Sequence, residues 1–121
     1  MRVIISAGGT GGHIYPALAI ANKIKEKDKS AEILYIGTKN RMEKDIVPNY
    51  GYKFIGINVE GLKRSLSLKN IKSAFLFINA VNKCKKIIKK FKPDVVIGVG
   101  GYVSAPTIYA AHKLGIKCKQ C

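Results

Sequence analysis

A single α/β domain, built on a parallel sheet with helices on both faces, is predicted by three observations. Four short apolar runs, at residues 3–7, 33–36, 54–59 and 95–99, are rich in β-branched residues and alternate with helical patterns, as the strands of a sheet buried on both faces do. Two glycine clusters, Gly8-Gly9-Thr10-Gly11-Gly12-His13 and Gly98-Val99-Gly100-Gly101-Tyr102, each follow such a run and precede a helical stretch, where a Rossmann-like sheet carries its ligand-binding turns. The length, 121 residues, suits one domain over residues 1–121.

The first strand, residues 3–7, leads straight into the first glycine cluster. The helix after it is expected to open near Pro16, whose missing N–H costs nothing in a first helical turn. Ala17, Ile20, Ala21 and Ile24 then share one face. Residues 33–36 supply the second strand, and a short helix from about Arg41 to Val47 is expected to end at Pro48. The third strand, residues 54–59, leads through Gly61-Leu62-Lys63-Arg64-Ser65, the stretch expected to be most mobile, into a long helix over residues 68–91. Its stripe Ala74, Phe77, Val81, Cys84, Ile88 and Phe91 recurs at spacings of three and four and is expected to face the core. Ile71, Phe75 and Ile78 form a second apolar group rotated away from that stripe. Two readings of it stand open. Either the helix is packed on two sides, or the group is exposed among Lys69, Lys72, Lys83, Lys85, Lys86, Lys89 and Lys90, the pattern of reversible docking on anionic lipid. Residues 95–99 and 105–114 complete the alternation as strand and helix.

Composition narrows the function classes. A net charge of +15 implies attraction to something anionic, whether nucleic acid, a membrane surface or a phosphorylated substrate, with a lysine-rich solvated face as the lesser reading. Nucleic acid is disfavoured as a partner, because no recognition motif is present and aromatics make up 8% of the chain. No run of apolar residues is long enough to span a bilayer, and no cleavable leader is legible, which leads to the expectation of a cytoplasmic protein. Three cysteines argue for reduced thiols: Cys84 reads as a small core residue, and Cys118-x-x-Cys121 supplies half of a zinc site at most.

The glycine turns carry the functional signal. Glycine lets a backbone take positive φ and approach a ligand, and the first N–H groups of the following helix point outward with partial positive charge. Two such cradles side by side suit a pyrophosphate. Each helix end contributes only about 0.3–1 kcal/mol to an exposed anion, so specificity must come from polar neighbours, of which Thr10, His13, Tyr102 and Ser104 are the candidates. A dinucleotide site fits poorly, because Ile14 stands at the third glycine position and Lys39 follows the second strand where an acid would hold a ribose. A P-loop fails too, since no Gly-Lys-Ser/Thr follows the glycines.

These residues also carry a family resemblance. The run Gly8 to His13 followed by Pro16-Ala17-Leu18-Ala19, then Arg41-Met42-Glu43, Lys92-Pro93-Asp94-Val95-Val96, and Gly100-Gly101-Tyr102-Val103-Ser104-Ala105-Pro106 closely resemble, in order, the amino-terminal half of the MurG family of bacterial glycosyltransferases. The resemblance implies the acceptor-side half of a B-type two-domain glycosyltransferase. It implies an inverting transfer of N-acetylglucosamine from UDP-N-acetylglucosamine to lipid I, giving lipid II of peptidoglycan, with no metal or cofactor. The pyrophosphate of the lipid-linked acceptor would rest on Gly8, Gly9, Thr10, Gly11 and Gly12 and on Gly98, Gly100 and Gly101. Thr10, Gly11 and Gly12 match positions associated with the sugar-nucleotide donor, and His13 is the candidate general base or hydrogen-bond donor at the reacting oxygens. The resemblance also favours peripheral docking on the inner face of the cell membrane, through Ile71, Phe75, Leu76 and Ile78.

The resemblance stops near Lys117. The family continues through a buried strand and a His-Glu-Gln-Asn segment into a donor domain, whereas Lys117-Cys118-Lys119-Gln120-Cys121 makes a poor buried strand. A truncated or frame-shifted relative, weakly active or inactive alone, is therefore expected. The alternative is a non-catalytic half working with a separate donor-domain chain.

Overall fold

The computed structural model describes residues 1–8, 11–59 and 71–120, with the backbone alone at 11 and 71–73. Strands and helices alternate along the chain: β1 (Arg2–Ala7), α1 (Gly11–Lys27), β2 (Glu32–Thr38), α2 (Glu43–Asn49), β3 (Lys53–Ile57), α3 (Ile71–Phe91), β4 (Val95–Gly100), α4 (Ser104–Lys113) and β5 (Lys117–Gln120). The sheet order is β3-β2-β1-β4-β5, and every pairing is parallel. Side chains alternate across each strand. Val3, Ile5, Ile33 and Tyr35 accordingly pack with Ile14, Leu18, Ala21 and Val47 under α1 and α2. Ile4, Leu34, Ile36 and Val96 pack with Val81, Cys84, Ile88 and Ala110 under α3 and α4. Helices therefore cover both faces, as the sequence predicts.

Three elements differ from expectation. Helix α1 begins at Gly11 and not near Pro16, which lies inside it. Pro16 is the sixth residue of the helix, so its missing N–H forfeits the one bond to residue 12, while fully buried Ile14 holds the early turn against the sheet. Pro48 likewise sits inside α2; the helix closes just beyond it through Tyr50 N–H to Val47 O, 3.0 Å, and Gly51 N–H to Pro48 O, 2.9 Å. Residues 117–120, too polar for a buried strand, form β5, with Val95 opposite Lys117 and Gly98 opposite Gln120. Among the described residues it lies at one side of the sheet, with Lys117, Lys119 and Gln120 exposed and Cys118 half-buried.

On α3 the predicted stripe buries Val81, Cys84 and Ile88, with Phe77 and Phe91 half-buried, but Ala74 is exposed. Phe75 and Ile78 are 62% and 52% exposed, which decides for the exposed-patch reading at those two positions. Leu76 instead packs against the core beneath α3. It stands next to the stripe residue Phe77 and turns toward the sheet, so it leaves the patch. The side chain of Ile71 and the stretch Gly61 to Ser65 lie outside the described residues.

Candidate functional site

The connections from β1 run one way to β2 and, through β3 and α3, the other way to β4, so β1 and β4 are neighbours at the point where strand order reverses. Crevices at the carboxyl ends of such strands are where open α/β sheets bind ligands. Register along the pair runs regularly from Val3 opposite Val95 to Ser6 opposite Gly98, then shifts so that Ala7 faces Gly100. This irregularity lies where the two glycine turns begin.

The two glycine turns consequently touch. Gly101 has φ +88°, and a Cβ built on it would lie 2.1 Å from the carbonyl oxygen of Gly8, so only bare backbone fits between the turns. Gly100, at φ +135°, lies under the imidazole of His13: a Cβ there would stand 2.7 Å from Cδ2 and 2.9 Å from Nε2. His13 is half-buried in the first turn of α1. The Ser104 hydroxyl donates to Gly101 O at 2.8 Å, tying the second turn to the start of α4. The Val103 cap position makes no side-chain hydrogen bond, and Tyr102 is 39% exposed beside it. The opening turns of α1 and α4 thus begin at the same crevice, with the imidazole between them. That arrangement brings the outward-pointing N–H groups of two helix starts and an imidazole to one crevice.

Of the sequence-predicted residues, Gly8, Gly11, Gly12, His13, Gly100, Gly101, Tyr102 and Ser104 gather at this end of the sheet. Gly98 does not. It is buried inside β4, and a Cβ on it would lie 2.9 Å from Ile108 of α4, so its bareness lets α4 pack closely on the strand. Gly9 and Thr10 lie outside the described residues.

Four residues that support the crevice were given no part in the site by the sequence, although Cys84 was expected in the core. Fully buried Ser6, in β1, donates to Thr107 Oγ1 at 3.1 Å, and Thr107 donates to Val103 O at 3.0 Å, which fixes the start of α4 on β1. Cys84 lies 3.5 Å from the same Thr107 hydroxyl; burial pushes its thiol up to about 11. Glu43, the first residue of α2, is fully buried and accepts the Thr38 N–H at 2.7 Å. The signals were a lone hydroxyl in an apolar strand and a glutamate five residues after the Gly37-Thr38 strand end, both faint beside the glycines.

Fold and crevice together define a doubly wound α/β domain whose two glycine turns meet at its switch point. The chain belongs to glycosyltransferase family 28, matching the N-terminal domain of that family over residues 3–118. It is 58% identical over 117 residues to the UDP-N-acetylglucosamine--N-acetylmuramyl-(pentapeptide) pyrophosphoryl-undecaprenol N-acetylglucosamine transferase of Alkaliphilus oremlandii, covering 97% of this chain and 32% of that protein. The same-named transferase of Leuconostoc citreum is 57% identical, with 96% and 31% covered. The chain thus spans about a third of the length of the curated relatives it matches. Among solved structures, Acinetobacter baumannii MurG superposes with a TM-score of 0.84 at 28% identity, over 98% of this chain and 34% of that one. The Neisseria meningitidis UDP-GlcNAc 2-epimerase shares the fold, with a TM-score of 0.68 at 14% identity over 99% and 32%.

Proposed function

We propose that this domain is the acceptor-side half of an inverting transferase that moves N-acetylglucosamine from UDP-N-acetylglucosamine to a muramyl sugar carried on a lipid pyrophosphate. The observation that carries the reading is the contact between the two glycine turns with the His13 ring lying on Gly100. A pyrophosphate spanning the turns would meet two sets of helix N–H groups, and the acceptor sugar beyond it would stand beside the imidazole. The 4-hydroxyl of that sugar attacks the anomeric carbon of the donor, the bond to the UDP oxygen breaks with inversion, and the hydroxyl proton passes to a base. His13, whose ring lies on Gly100 at the crevice, is assigned that role or that of a donor to the reacting oxygens. The names of the relatives support the substrates, and the family model supports the transferase class.

The acceptor's lipid places the reaction at a membrane surface. Exposed Phe75 and Ile78 on a lysine-rich helix supply the docking face in this reading, and no described helix is long and apolar enough to cross a membrane. The donor sugar nucleotide would be held largely by a second domain, in the same polypeptide or on a separate chain. The test mixes this 121-residue chain with the donor domain of the Alkaliphilus oremlandii relative, UDP-N-acetylglucosamine and a short-chain lipid-linked acceptor, and follows UDP release. Release that requires both halves and falls about 100-fold or more in His13→Ala supports the assignment. Release unchanged in His13→Ala removes the histidine from it, and no release together with no pyrophosphate binding overturns the reading.

A further inference from the structure

Beneath the crevice, the side chain of Glu43 fills a slot made by two glycines. A Cβ on Gly8, at the end of β1, would lie 2.3 Å from its Oε1, and a Cβ on Gly37, in β2, would lie 2.7 Å from its Cγ. Oε1 accepts the Thr38 N–H at 2.7 Å, while Oε2 is buried without a hydrogen-bond partner among the described residues. A carboxylate costs several kcal/mol to bury without full pairing, so hydrophobic filling of this slot would serve stability better. The Tyr35 hydroxyl is also buried and unpartnered among the described residues; burial and the neighbouring Glu43 charge hold that phenol far above its ordinary range. Contacts continue upward, because Glu43 touches Gly8 and Gly8 O touches Gly101, whose carbonyl is held by Ser104.

We propose that Glu43 is a positioning residue whose carboxylate props Gly8 against Gly101 and so sets the spacing of the two anion-binding turns. The effect on ligands rests on the reading of the crevice given above; the prop itself does not. Positioning and plain electrostatics predict opposite signs. If Glu43 acted only as a negative charge near an anion site, removing it would tighten anion binding. If it acts as a prop, Glu43→Gln, which keeps the length and the acceptor for Thr38, preserves binding. Glu43→Ala empties the slot and weakens it.

The experiment titrates inorganic pyrophosphate and UDP into the wild-type chain, Glu43→Gln and Glu43→Ala by calorimetry, and records the amide resonances of Gly8, Thr38 and Gly101. The expected result is affinity within about threefold of wild type for Gln and at least a tenfold loss for Ala, in samples shown to be folded by circular dichroism. Tighter binding by both variants overturns the proposal, as does unchanged binding by folded Glu43→Ala. Should the wild type bind neither ligand, the anion reading fails, and the amides decide the prop: Gly8 and Gly101 must shift in Ala and not in Gln, and their constancy in Ala refutes it. If Ala does not fold, Glu43→Asp, one methylene too short to reach Thr38, takes its place with the same expected loss and shifts.

Discussion

Replacing Gly101 by alanine tests the contact on which the crevice depends. Two penalties act at this position. The first is conformational: φ +88° is left-handed territory that costs a residue with a Cβ about 1–2 kcal/mol. The second is steric, because the new Cβ would stand 2.1 Å from Gly8 O against roughly 3.5 Å for an ordinary non-bonded contact. The turns must therefore part by about 1 Å or more, and overpacking of this kind costs about 1–3 kcal/mol. The two terms separate experimentally. Gly51 and Gly115 have φ +89° and +73°, and a Cβ at either would have no described neighbour within 4 Å, so Gly51→Ala and Gly115→Ala bear the first penalty alone. Thermal unfolding of the three variants should place Gly101→Ala lower by roughly 4 °C or more, since about 1 kcal/mol moves Tm by about 4 °C at this chain length. Calorimetry should show pyrophosphate affinity reduced at least tenfold in Gly101→Ala and unchanged in the other two. A Gly101→Ala protein no less stable than Gly115→Ala, with wild-type affinity, would show that the turns do not abut.

Two further predictions follow from burial. Changing Phe75 and Ile78 together to serine should lower co-sedimentation with anionic vesicles about tenfold or more, given about 1.5–3 kcal/mol per apolar side chain inserted, while leaving Tm within about 1 °C because both are mostly exposed; unchanged sedimentation would remove the patch from membrane docking. The folded state keeps the Cys84 thiol neutral up to about 11, above the range near 9 of an unfolded thiol, so its stabilisation is complete below pH 9 and disappears as pH rises through 11. That loss amounts to about 3 kcal/mol, and the raised Tyr35 phenol acts in the same sense. Urea midpoints measured from pH 8 to 11 should fall more steeply for wild type than for Cys84→Ala, and parallel slopes would contradict the assignment.

The sheet was legible because its signals are local and repeated. Val3, Ile4 and Ile5 announce a strand with two buried faces, and each glycine cluster marks a strand end without reference to the rest of the chain. Less was visible where burial depends on a distant partner. Gly11, Gly12 and His13 look like loop, yet Ile14 packing on the sheet draws them into α1. Lys117 and Lys119 argue against a buried strand, yet an edge position asks for one half-buried residue, and Cys118 supplies it. Leu76 shares its neighbourhood with Phe75 and Ile78, and only the rotation of α3 sends it inward. Glu43 enters the sequence reading only within the Arg41-Met42-Glu43 run; nothing in its vicinity tells that Gly8 and Gly37 leave it a slot. In the candidate site the sequence names the backbone groups and the imidazole, and the structure adds what holds them at their separation.

The central position of β1 also bears on how the chain comes off the ribosome. Val3 pairs with Ile33 on one side and with Val95 on the other, so one side of the strand finds its neighbour early and the other must wait for about 60 further residues to be synthesised. At roughly 5–20 residues per second that interval is about 3–12 s, during which an apolar strand presents an unsatisfied edge in a half-made protein. Its closing contacts are concentrated at one place. The Arg2 N–H donates to the Asp94 carboxylate at 2.8 Å, and Arg2 O accepts the Asp94 N–H at 2.7 Å. The Arg2 guanidinium donates to Phe91 O at 2.6 Å, stacks on the Phe91 ring at 4.3 Å and pairs with Glu32. Arg2 is thus a latch for Asp94, and it joins the side of β1 that waits to the strand that completes it.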